Sequence, residues 1–310
     1  MKTKYKNIII IICSLFFLVN LIIYRNLVFD TVGFSLNIWI TSLLPALFPF
    51  FIVSDILINY DVIKYFPKVI RNSIKYLFNV SDNGLVIILL SMLSGFPSNA
   101  RNIKNMYLDK KITKEEGEHL LYFTHFSNPM FILGTIPLIL NSNKISKYIL
   151  ISHYLANIIL GICLRKYNIV NDSNTSNYKE DKHNFGLVLT TSIRKSLDSI
   201  LSILGTLTVF LIMSTLLINF FNLDNTSSLL IKSILELTSG LKELGSYNLL
   251  NKHLLIISSC ILSFGGLSVH MQVINELVDT DISYKNYFIG RILQVVLSLG
   301  ISYLISLFAF

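Results

Sequence analysis

The sequence predicts an all-α, polytopic membrane protein built from inverted repeats with broken or re-entrant half-helices. Only 14% of the 310 residues are charged and 53% are hydrophobic, whereas a soluble domain normally carries about 25% charged residues. The charges lie between long apolar runs, which is typical of membrane-spanning helices. Two of these runs are short and end in glycine-containing turns, and two pairs of segments match each other along the chain.

The apolar runs define the predicted spans, because a helix needs about 20 residues to cross a bilayer. They cover 8–23, 36–58, 85–97, 119–140, 148–164, 198–221, 254–267 and 287–310. Runs 85–97 and 254–267 are too short to span, so we predict that they enter the membrane and break inside it. The run 8–23 follows three lysines and is open to interpretation as a signal peptide. It lacks a small-residue cleavage site, which favours an uncleaved helix.

An internal repeat supports the broken helices. Residues 48–60 match 208–220, with six of thirteen positions identical, and Gly95–Thr113 matches Gly265–Ser283 with further identities. The predicted organisation follows from these matches. It comprises an N-terminal transmembrane helix and connection (1–35), a first repeat (36–164), a polar linker (165–197) and a second repeat (198–310).

The distribution of Lys and Arg tests this topology. With the N-terminus inside and both short runs re-entrant, the inner segments hold 18 of the 26 Lys and Arg residues and the outer segments hold 7. This bias agrees with the positive-inside rule. The topology makes 36–58 and 198–221 run in opposite directions, so the repeats are inverted, and it makes 271–286 an outer segment.

The first candidate binding motif ends the short run 85–97. Glycine and proline interrupt the helix there, and the backbone groups left unpaired at a helix end can bind a solute. Arg101 suits a carboxylate because its guanidinium binds in a bidentate way. The alternative is a loop in water with an ordinary interfacial arginine. The candidate residues are Ser94, Gly95, Pro97, Ser98, Asn99 and Arg101.

The second candidate motif ends the short run 254–267. Adjacent glycines allow backbone amides to approach a ligand closely. His270 is either a hydrogen-bonded interfacial residue or a group that binds solute or carries a proton. The candidate residues are Gly265, Gly266, Ser268, His270 and Gln272.

Two further motifs place polar groups inside apolar segments. Pro129 removes one helical hydrogen bond, and Asn128 offers both a donor and an acceptor; a simple proline kink explains the pattern equally well. Glu236 lies in an apolar segment suited to a re-entrant hairpin, and an acid at membrane depth indicates a site. If that segment lies at the surface, Glu236 is an ordinary solvated acid. The candidates are Asn128, Glu236, Thr238, Ser239 and Gly240.

Several classes of function are excluded by what the sequence lacks. The net charge of +8 has no nucleic-acid-binding motif beside it and reflects cations retained on one side of the membrane. No enzyme motif is present, and the six histidines and three cysteines lack metal-ligand spacing. We therefore expect no catalytic residues, no metal, no cofactor and no nucleic-acid partner.

The motifs SGFPSNA, HFSNP, LELTSG and SFGGLSVHMQ, in this order, resemble the sporulation integral membrane protein family of spore-forming Firmicutes. That family contains a nucleoside-recognition (gate) domain and is distantly related to concentrative nucleoside transporters. The resemblance covers roughly 36–310. It implies a multi-pass protein of the outer forespore or cell membrane that passes dipicolinic acid towards the spore. It also implies that 94–99, 128, 236–240 and 265–272 line the solute path.

Other interpretations of the same motifs remain open. The chain is alternatively a transporter of nucleosides or related small solutes, or a structural subunit of a sporulation membrane complex without transport. The expected partners are the solute, the lipid bilayer, and either a second copy of the chain or other sporulation membrane proteins. Glu236 conflicts with a dianionic solute if it is ionised, because like charges repel.

Overall fold

The computed structural model describes residues 2–165 and 184–310, which form fifteen α-helices and no β-strand. The helices of the first half are α1 (Lys2–Ile23), α2 (Arg25–Ile38), α3 (Leu44–Asn59), α4 (Lys68–Phe78), α5 (Asp82–Ser94), α6 (Ser98–Leu108), α7 (Lys114–Leu120), α8 (Ile136–Leu140) and α9 (Ser146–Cys163). Those of the second half are α10 (Phe185–Phe221), α11 (Asn225–Leu235), α12 (Leu237–Gly245), α13 (Asn251–Phe264), α14 (Gly266–Leu277) and α15 (Tyr284–Ala309).

Long apolar helices dominate this architecture. Among the described residues, six segments are long and apolar enough to cross a membrane: Tyr5–Ile23, Arg25–Asn59, Ser146–Cys163, Phe185–Phe221, Asn251–Leu277 and Tyr284–Ala309. The segment Arg25–Asn59 is continuous because a π-helical turn, Trp39–Leu43, joins α2 to α3. The prediction of a polytopic all-α membrane protein is therefore confirmed.

The two halves of the chain carry their helices in the same order. A long helix comes first (α2–α3 and α10), followed by a helical hairpin (α5/α6 and α11/α12). A broken span (α7–α8 and α13–α14) and an unbroken span (α9 and α15) complete each half. The long helices pack antiparallel, because the Ser35 hydroxyl bonds that of Thr208 at 2.8 Å and the Trp39 indole donates to the Ile200 carbonyl at 2.9 Å.

Contacts between their two arms identify the hairpins. The Asn83 amide, at the beginning of α5, donates to the Lys111 carbonyl just beyond α6 at 2.9 Å. In the second hairpin Gly240 lies directly against Ser233, and a Cβ on Gly240 would be 2.6 Å from the Ser233 Cα. Small residues at this position let the two arms of the hairpin lie side by side.

The prediction that 254–267 re-enters the membrane is wrong. Helices α13 and α14 continue as one segment of 27 residues, Asn251–Leu277, with a break at Gly265. The second hairpin is α11/α12, with its break at Glu236, in the segment that was predicted to suit a re-entrant hairpin. The apolar run ends at the glycines, but the partly polar helix α14 follows and completes the span. The glycine break was therefore wrongly predicted to be the turn of a re-entrant hairpin.

Ion pairs also correct the position of 271–286, which was predicted to lie outside. Lys104 on the inner side pairs with Asp279 at 2.7 Å, and Lys114 pairs with Asp281 at 3.1 Å. The Tyr107 hydroxyl also donates to Asp281 at 2.6 Å. These hydrogen bonds, first from Tyr107 and then from Lys114, lower the pKa of the Asp281 carboxyl. The connection between α14 and α15 therefore lies on the same side as the connection between α6 and α7.

The end of the chain lies on the opposite side. The ring of Phe310 packs against Tyr148, at the outer end of α9, with centroids 5.7 Å apart. Helix α15 therefore runs outward instead of inward. Moving Lys285 to the inner side gives 19 Lys and Arg residues inside and six outside, which strengthens the charge bias.

The repeat match of Gly95–Thr113 with Gly265–Ser283 pairs elements that are not equivalent. Gly95 lies at the tip of a hairpin, whereas Gly265 interrupts a span, so in element order Gly265 corresponds to the break beside Asn128. The match of 48–60 with 208–220 falls at the C-terminal ends of the equivalent helices α3 and α10.

Two predicted connections are partly helical. Residues 24–35, assigned to a connection, mostly belong to α2. Of the predicted linker 165–197, residues 166–183 lie outside the described part of the chain, and α10 begins at Phe185. The part of α10 that precedes residue 198 packs on α3, since the Ser192 hydroxyl donates to the Asp55 carboxylate at 2.7 Å. An apolarity criterion misses such polar helical turns beyond the membrane.

The corrected sidedness can be tested by labelling with a membrane-impermeant maleimide after the three native cysteines are replaced by alanine. We expect Val278→Cys and Lys110→Cys to react from one side and Asn143→Cys from the other. Val278 and Asn143 are exposed, so reactivity reports the side of the membrane. Joint labelling of Val278→Cys and Asn143→Cys would refute the arrangement.

Candidate functional site

The breaks in the two hairpins and the two broken spans converge on one cavity at the middle of the helical bundle, called the central cavity. Its polar lining consists of Ser127, Asn128, Glu236, Thr238, Ser268 and Gln272. Its apolar lining includes Leu43, Leu47, Phe96, Ile203 and Leu207. The cavity has a volume of about 40 Å³, which is enough for a few water molecules. A larger solute therefore requires the surrounding elements to separate.

The tip of the first hairpin is fitted against the break in the first broken span. Gly95 has φ +76°, and a Cβ there would lie 2.5 Å from the Asn128 nitrogen. The Phe96 amide donates to the Phe126 carbonyl at 3.0 Å, and the Phe96–Pro97 peptide is cis. Only glycine combines this backbone conformation with such a close approach.

The unwound segment between α7 and α8 is bonded by side chains from other helices. The Ser127 amide donates to His153 Nε2 at 3.0 Å, and the Tyr154 hydroxyl donates to the Ser127 carbonyl at 3.2 Å. The His125 carbonyl accepts from Arg291 Nη1 at 3.1 Å. Backbone groups inside a membrane need such partners, because no water is there to replace a helical hydrogen bond.

Asn128 caps the helical turn that follows the break. Its Oδ1 accepts from the amides of Met130 at 2.7 Å and Phe131 at 3.2 Å. Its Nδ2 donates to the Leu93 carbonyl at 2.9 Å, near the end of α5. Asn128 thus has a structural task in this conformation, although it also lines the central cavity.

Glu236 has the equivalent task at the tip of the second hairpin. Its Oε2 accepts from the Thr238 hydroxyl at 2.5 Å and from the Ser239 amide at 2.8 Å. The carboxylate therefore caps α12, where the helix N-terminus favours a negative charge. Gly266, with φ +72°, lies against this tip, and a Cβ there would be 2.9 Å from the Leu237 nitrogen.

Arg291 joins two breaks, although it was not among the site residues predicted from the sequence. The side chain is fully buried. Its Nη2 donates to the Leu262 carbonyl at 3.0 Å and its Nε to the Phe264 carbonyl at 3.3 Å, at the C-terminus of α13. Besides these and His125, its hydrogen-bond partner in the described chain is the Gln294 side chain, at 2.6 Å. An arginine in the middle of an apolar helix was the available signal.

Arg101 lies outside the central cavity, in a second cavity of about 360 Å³ on the inner side, called the inner cavity. Its Nη1 donates to the Lys195 carbonyl at 3.1 Å and to the Ser199 hydroxyl at 2.9 Å. The guanidinium also lies 5.2 Å from the centroid of the Phe51 ring. The predicted donor is thus separated from Asn128 and Glu236.

A third cavity of about 320 Å³, the outer cavity, lies between α2, α10, α11 and α12. Helix α10 contributes residues 195–202 to the inner cavity, Ile203 and Leu207 to the central cavity, and 211–215 to the outer cavity. At 1.5 Å per residue these positions cover about 30 Å, the thickness of the hydrocarbon core. The three cavities therefore follow one helix across the membrane.

A row of hydrogen-bonded polar pairs, called the polar seam, lies between the central and inner cavities. Each pair joins α14 to α10. The pairs are Gln272 with Thr206 at 3.0 Å, Asn275 with Ser202 at 3.2 Å and Glu276 with Ser199 at 3.2 Å.

The other predicted residues have packing roles. Ser94 bonds the Leu90 carbonyl of its own helix at 2.8 Å, and Asn99 reaches His125 Nδ1 at 2.7 Å. Gly265, with φ +85°, leaves room for Arg291, since a Cβ would lie 3.0 Å from Nη2.

His270 lies among aromatic rings, not in the central cavity. It bonds the Tyr284 hydroxyl and, at 3.2 Å, the Phe264 carbonyl. Both ring nitrogens therefore have protein partners.

Several buried polar atoms on α6 and α14 have no hydrogen-bond partner within the described residues. They are the Ser98 and Ser268 hydroxyls, both polar atoms of the Asn102 amide, and Arg101 Nε and Nη2. Each such group costs about 1–3 kcal/mol, and native structures keep few of them. Their concentration indicates a region that binds polar groups.

We expect Gly95→Ala to destabilise the protein by about 2 kcal/mol, because it combines a left-handed backbone with a collision at Asn128. Gly205→Ala is the matched control, since nothing lies within 4 Å of its added Cβ, and alanine favours a helix by about 0.5–1 kcal/mol. Thermal unfolding in detergent measures both. Equal melting temperatures for the two variants would contradict the close packing at the tip.

Arg291→Met should destabilise the protein by about 3 kcal/mol or more, because three buried carbonyls each lose a bond from the guanidinium. Arg194→Met removes an exposed arginine from another long helix and should have little effect. Arg291→Lys should fall between them, since an ammonium cannot reproduce the planar arrangement of donors. A thermal denaturation series that ranks all three variants alike would argue against this role.

Comparison with known proteins shows a similarity that extends over most of the chain. The chain is 26% identical, over 331 aligned residues, to the sporulation integral membrane protein YlbJ of Bacillus subtilis (strain 168). The alignment covers 95% of this chain and 81% of that protein. No protein-family model matches the chain, and no solved structure matches it. The chain is thus a multi-pass membrane protein of a spore-forming bacterium, and its similarity supports a sporulation integral membrane family.

Proposed function

We propose that this protein moves dipicolinic acid, a small aromatic dicarboxylate, across the outer forespore membrane during sporulation. The observation that carries the proposal is the convergence of the hairpin tips and broken spans on one polar cavity, between two further cavities along α10. Broken helices around a site at the middle of the membrane are typical of secondary transporters. Similarity to a sporulation membrane protein supports the setting, and the motif resemblance supports the solute.

The unpartnered donors suit a carboxylate. The Ser98 and Ser268 hydroxyls and the free N–H groups of Arg101 lack partners in the described chain, and they would bond carboxylate oxygens. Glu236 repels an anion less strongly than a free carboxylate would. Its negative charge is partly compensated by hydrogen bonds from the Thr238 hydroxyl and from the N-terminus of α12. This arrangement reduces the conflict between an acidic residue and a dianionic solute.

The lining of the central cavity itself favours a second candidate, a nucleoside or related neutral solute. No lysine or arginine lines this cavity within the described residues; Glu236 and the amides of Asn128 and Gln272 do. Such groups match the donors and acceptors of a sugar or base. For this candidate Arg101 is dispensable, whereas for a dicarboxylate we expect its substitution to slow uptake.

The proposal extends to the surroundings of the protein. We propose that it carries no catalytic activity and uses no cofactor, and that it works either as a homo-oligomer or with other sporulation membrane proteins. A structural subunit without transport is the remaining alternative. It predicts that cavity substitutions leave solute movement in the membrane unchanged.

Uptake of labelled dipicolinate, with uridine in parallel, into liposomes containing the purified protein tests the function. We expect dipicolinate to enter and uridine to be excluded. Ser268→Ala should slow dipicolinate uptake roughly tenfold, because the cavity loses one hydrogen bond to a charged group. Ser73→Ala, on the exposed face of α4, is the matched control and should leave uptake unchanged.

Uptake of uridine alone would replace the solute with a neutral one. If the folded protein moves neither solute, with or without an ion gradient, the transport proposal fails.

A further inference from the structure

The inner cavity contains an arginine whose hydrogen bonding is incomplete. Arg101 is 5% exposed, and its Nη1 bonds the Lys195 carbonyl and the Ser199 hydroxyl. Nε and Nη2 have no partner within the described residues. These two nitrogens form one edge of the guanidinium, and their parallel N–H groups match the two oxygens of a carboxylate. The unpaired edge therefore matches a carboxylate bound side-on, and because both nitrogens are enclosed by protein, binding requires the side chains beside them to move.

The protein holds a carboxylate of its own beside this arginine. The Ser199 hydroxyl accepts from Arg101 Nη1 at 2.9 Å and donates to Glu276 Oε1 at 3.2 Å. Glu276 thus reaches Arg101 through one hydroxyl, without a direct ion pair. Its negative charge balances the buried guanidinium when no other anion is bound.

The other charges around the inner cavity are largely paired with one another. Lys104 on α6 pairs with Asp279 beyond α14 at 2.7 Å. Lys195 on α10 lies 3.7 Å from Asp55 on α3. Asp198 also lines the cavity. Arg101 and Glu276 therefore associate only indirectly, through Ser199. A new anion can replace Glu276 beside Arg101 without breaking a direct ion pair, so the free-energy cost of the replacement is small.

We propose that the inner cavity is a docking site for a carboxylate, which Arg101 binds side-on, and that Glu276 is the internal competitor that sets its affinity. The site precedes the central cavity on the inner side and is separated from it by the polar seam. A bound carboxylate next to Glu276 repels it, which weakens the bond between Glu276 and Ser199 in that seam. The identity of the solute rests on the proposed function, whereas the carboxylate class rests on the geometry of Arg101.

Binding of dipicolinate to the purified full-length protein in detergent, measured by equilibrium dialysis in metal-free buffer, tests the proposal. Glu276→Gln keeps the side-chain shape and removes the competing charge, so we expect roughly tenfold tighter binding. Arg101→Gln should weaken binding at least tenfold. Glu115→Gln, which removes an exposed acid of α7, is the matched control and should bind like the unmodified protein.

The melting temperature of each variant separates misfolding from a loss of binding. Unchanged affinity in folded Glu276→Gln overturns the role of the internal competitor. Unchanged affinity in folded Arg101→Gln overturns the site.

Liposome uptake distinguishes this inference from the proposed function. If dipicolinate binds in an Arg101-dependent way but is not taken up, transport fails and the docking site stands. If it is taken up with the same rate and affinity by all three variants, transport stands and the docking site fails.

Discussion

The need to bond every backbone polar group inside the membrane governs this structure. Each helix break exposes carbonyls and amides where water cannot replace the lost bonds. Arg291 meets this need for two breaks, since it bonds carbonyls at the end of α13 and the His125 carbonyl between α7 and α8. His153, Asn128 and Glu236 complete the bonding nearby. The breaks can exist at the middle of the bundle because these side chains stabilise them.

The same requirement explains why most of the polar side chains that line the central cavity already have hydrogen-bond partners in the protein. Asn128 and Glu236 line the central cavity, but each also caps a helix, so they connect the architecture to the site. Several unpartnered polar groups lie instead on α6, around Arg101, and the Ser268 hydroxyl on α14 is another. Helix capping and unpartnered hydrogen-bond donors thus belong to different side chains of neighbouring elements. This division places the unpartnered guanidinium nitrogens of Arg101 on the inner side of the central cavity.

The sequence predicted the helical class and the position of each break, because glycine and proline disrupt helices by local stereochemistry. Gly95, Asn128, Glu236 and Gly265 all lie where the pattern placed an interruption. The direction of the chain after a break was predicted for both hairpins but not for α13 and α14, because it depends on tertiary packing. Gly240 against Ser233 makes a hairpin, whereas α14 continues the line of α13. The role of Arg291 also depends on carbonyls distant in sequence.

The polar seam makes the inner and outer ends of the central cavity unequal towards water. Each bond between α10 and α14 on the inner side joins a hydroxyl to an amide or carboxylate, and a water molecule can replace either partner at little enthalpic cost. On the outer side, α10 continues from the central cavity through Leu207 and Leu211, which belong to the apolar core and gain nothing from hydration. The inner end should therefore wet first, and the outer end should behave as a dry barrier whose opening is the slower event.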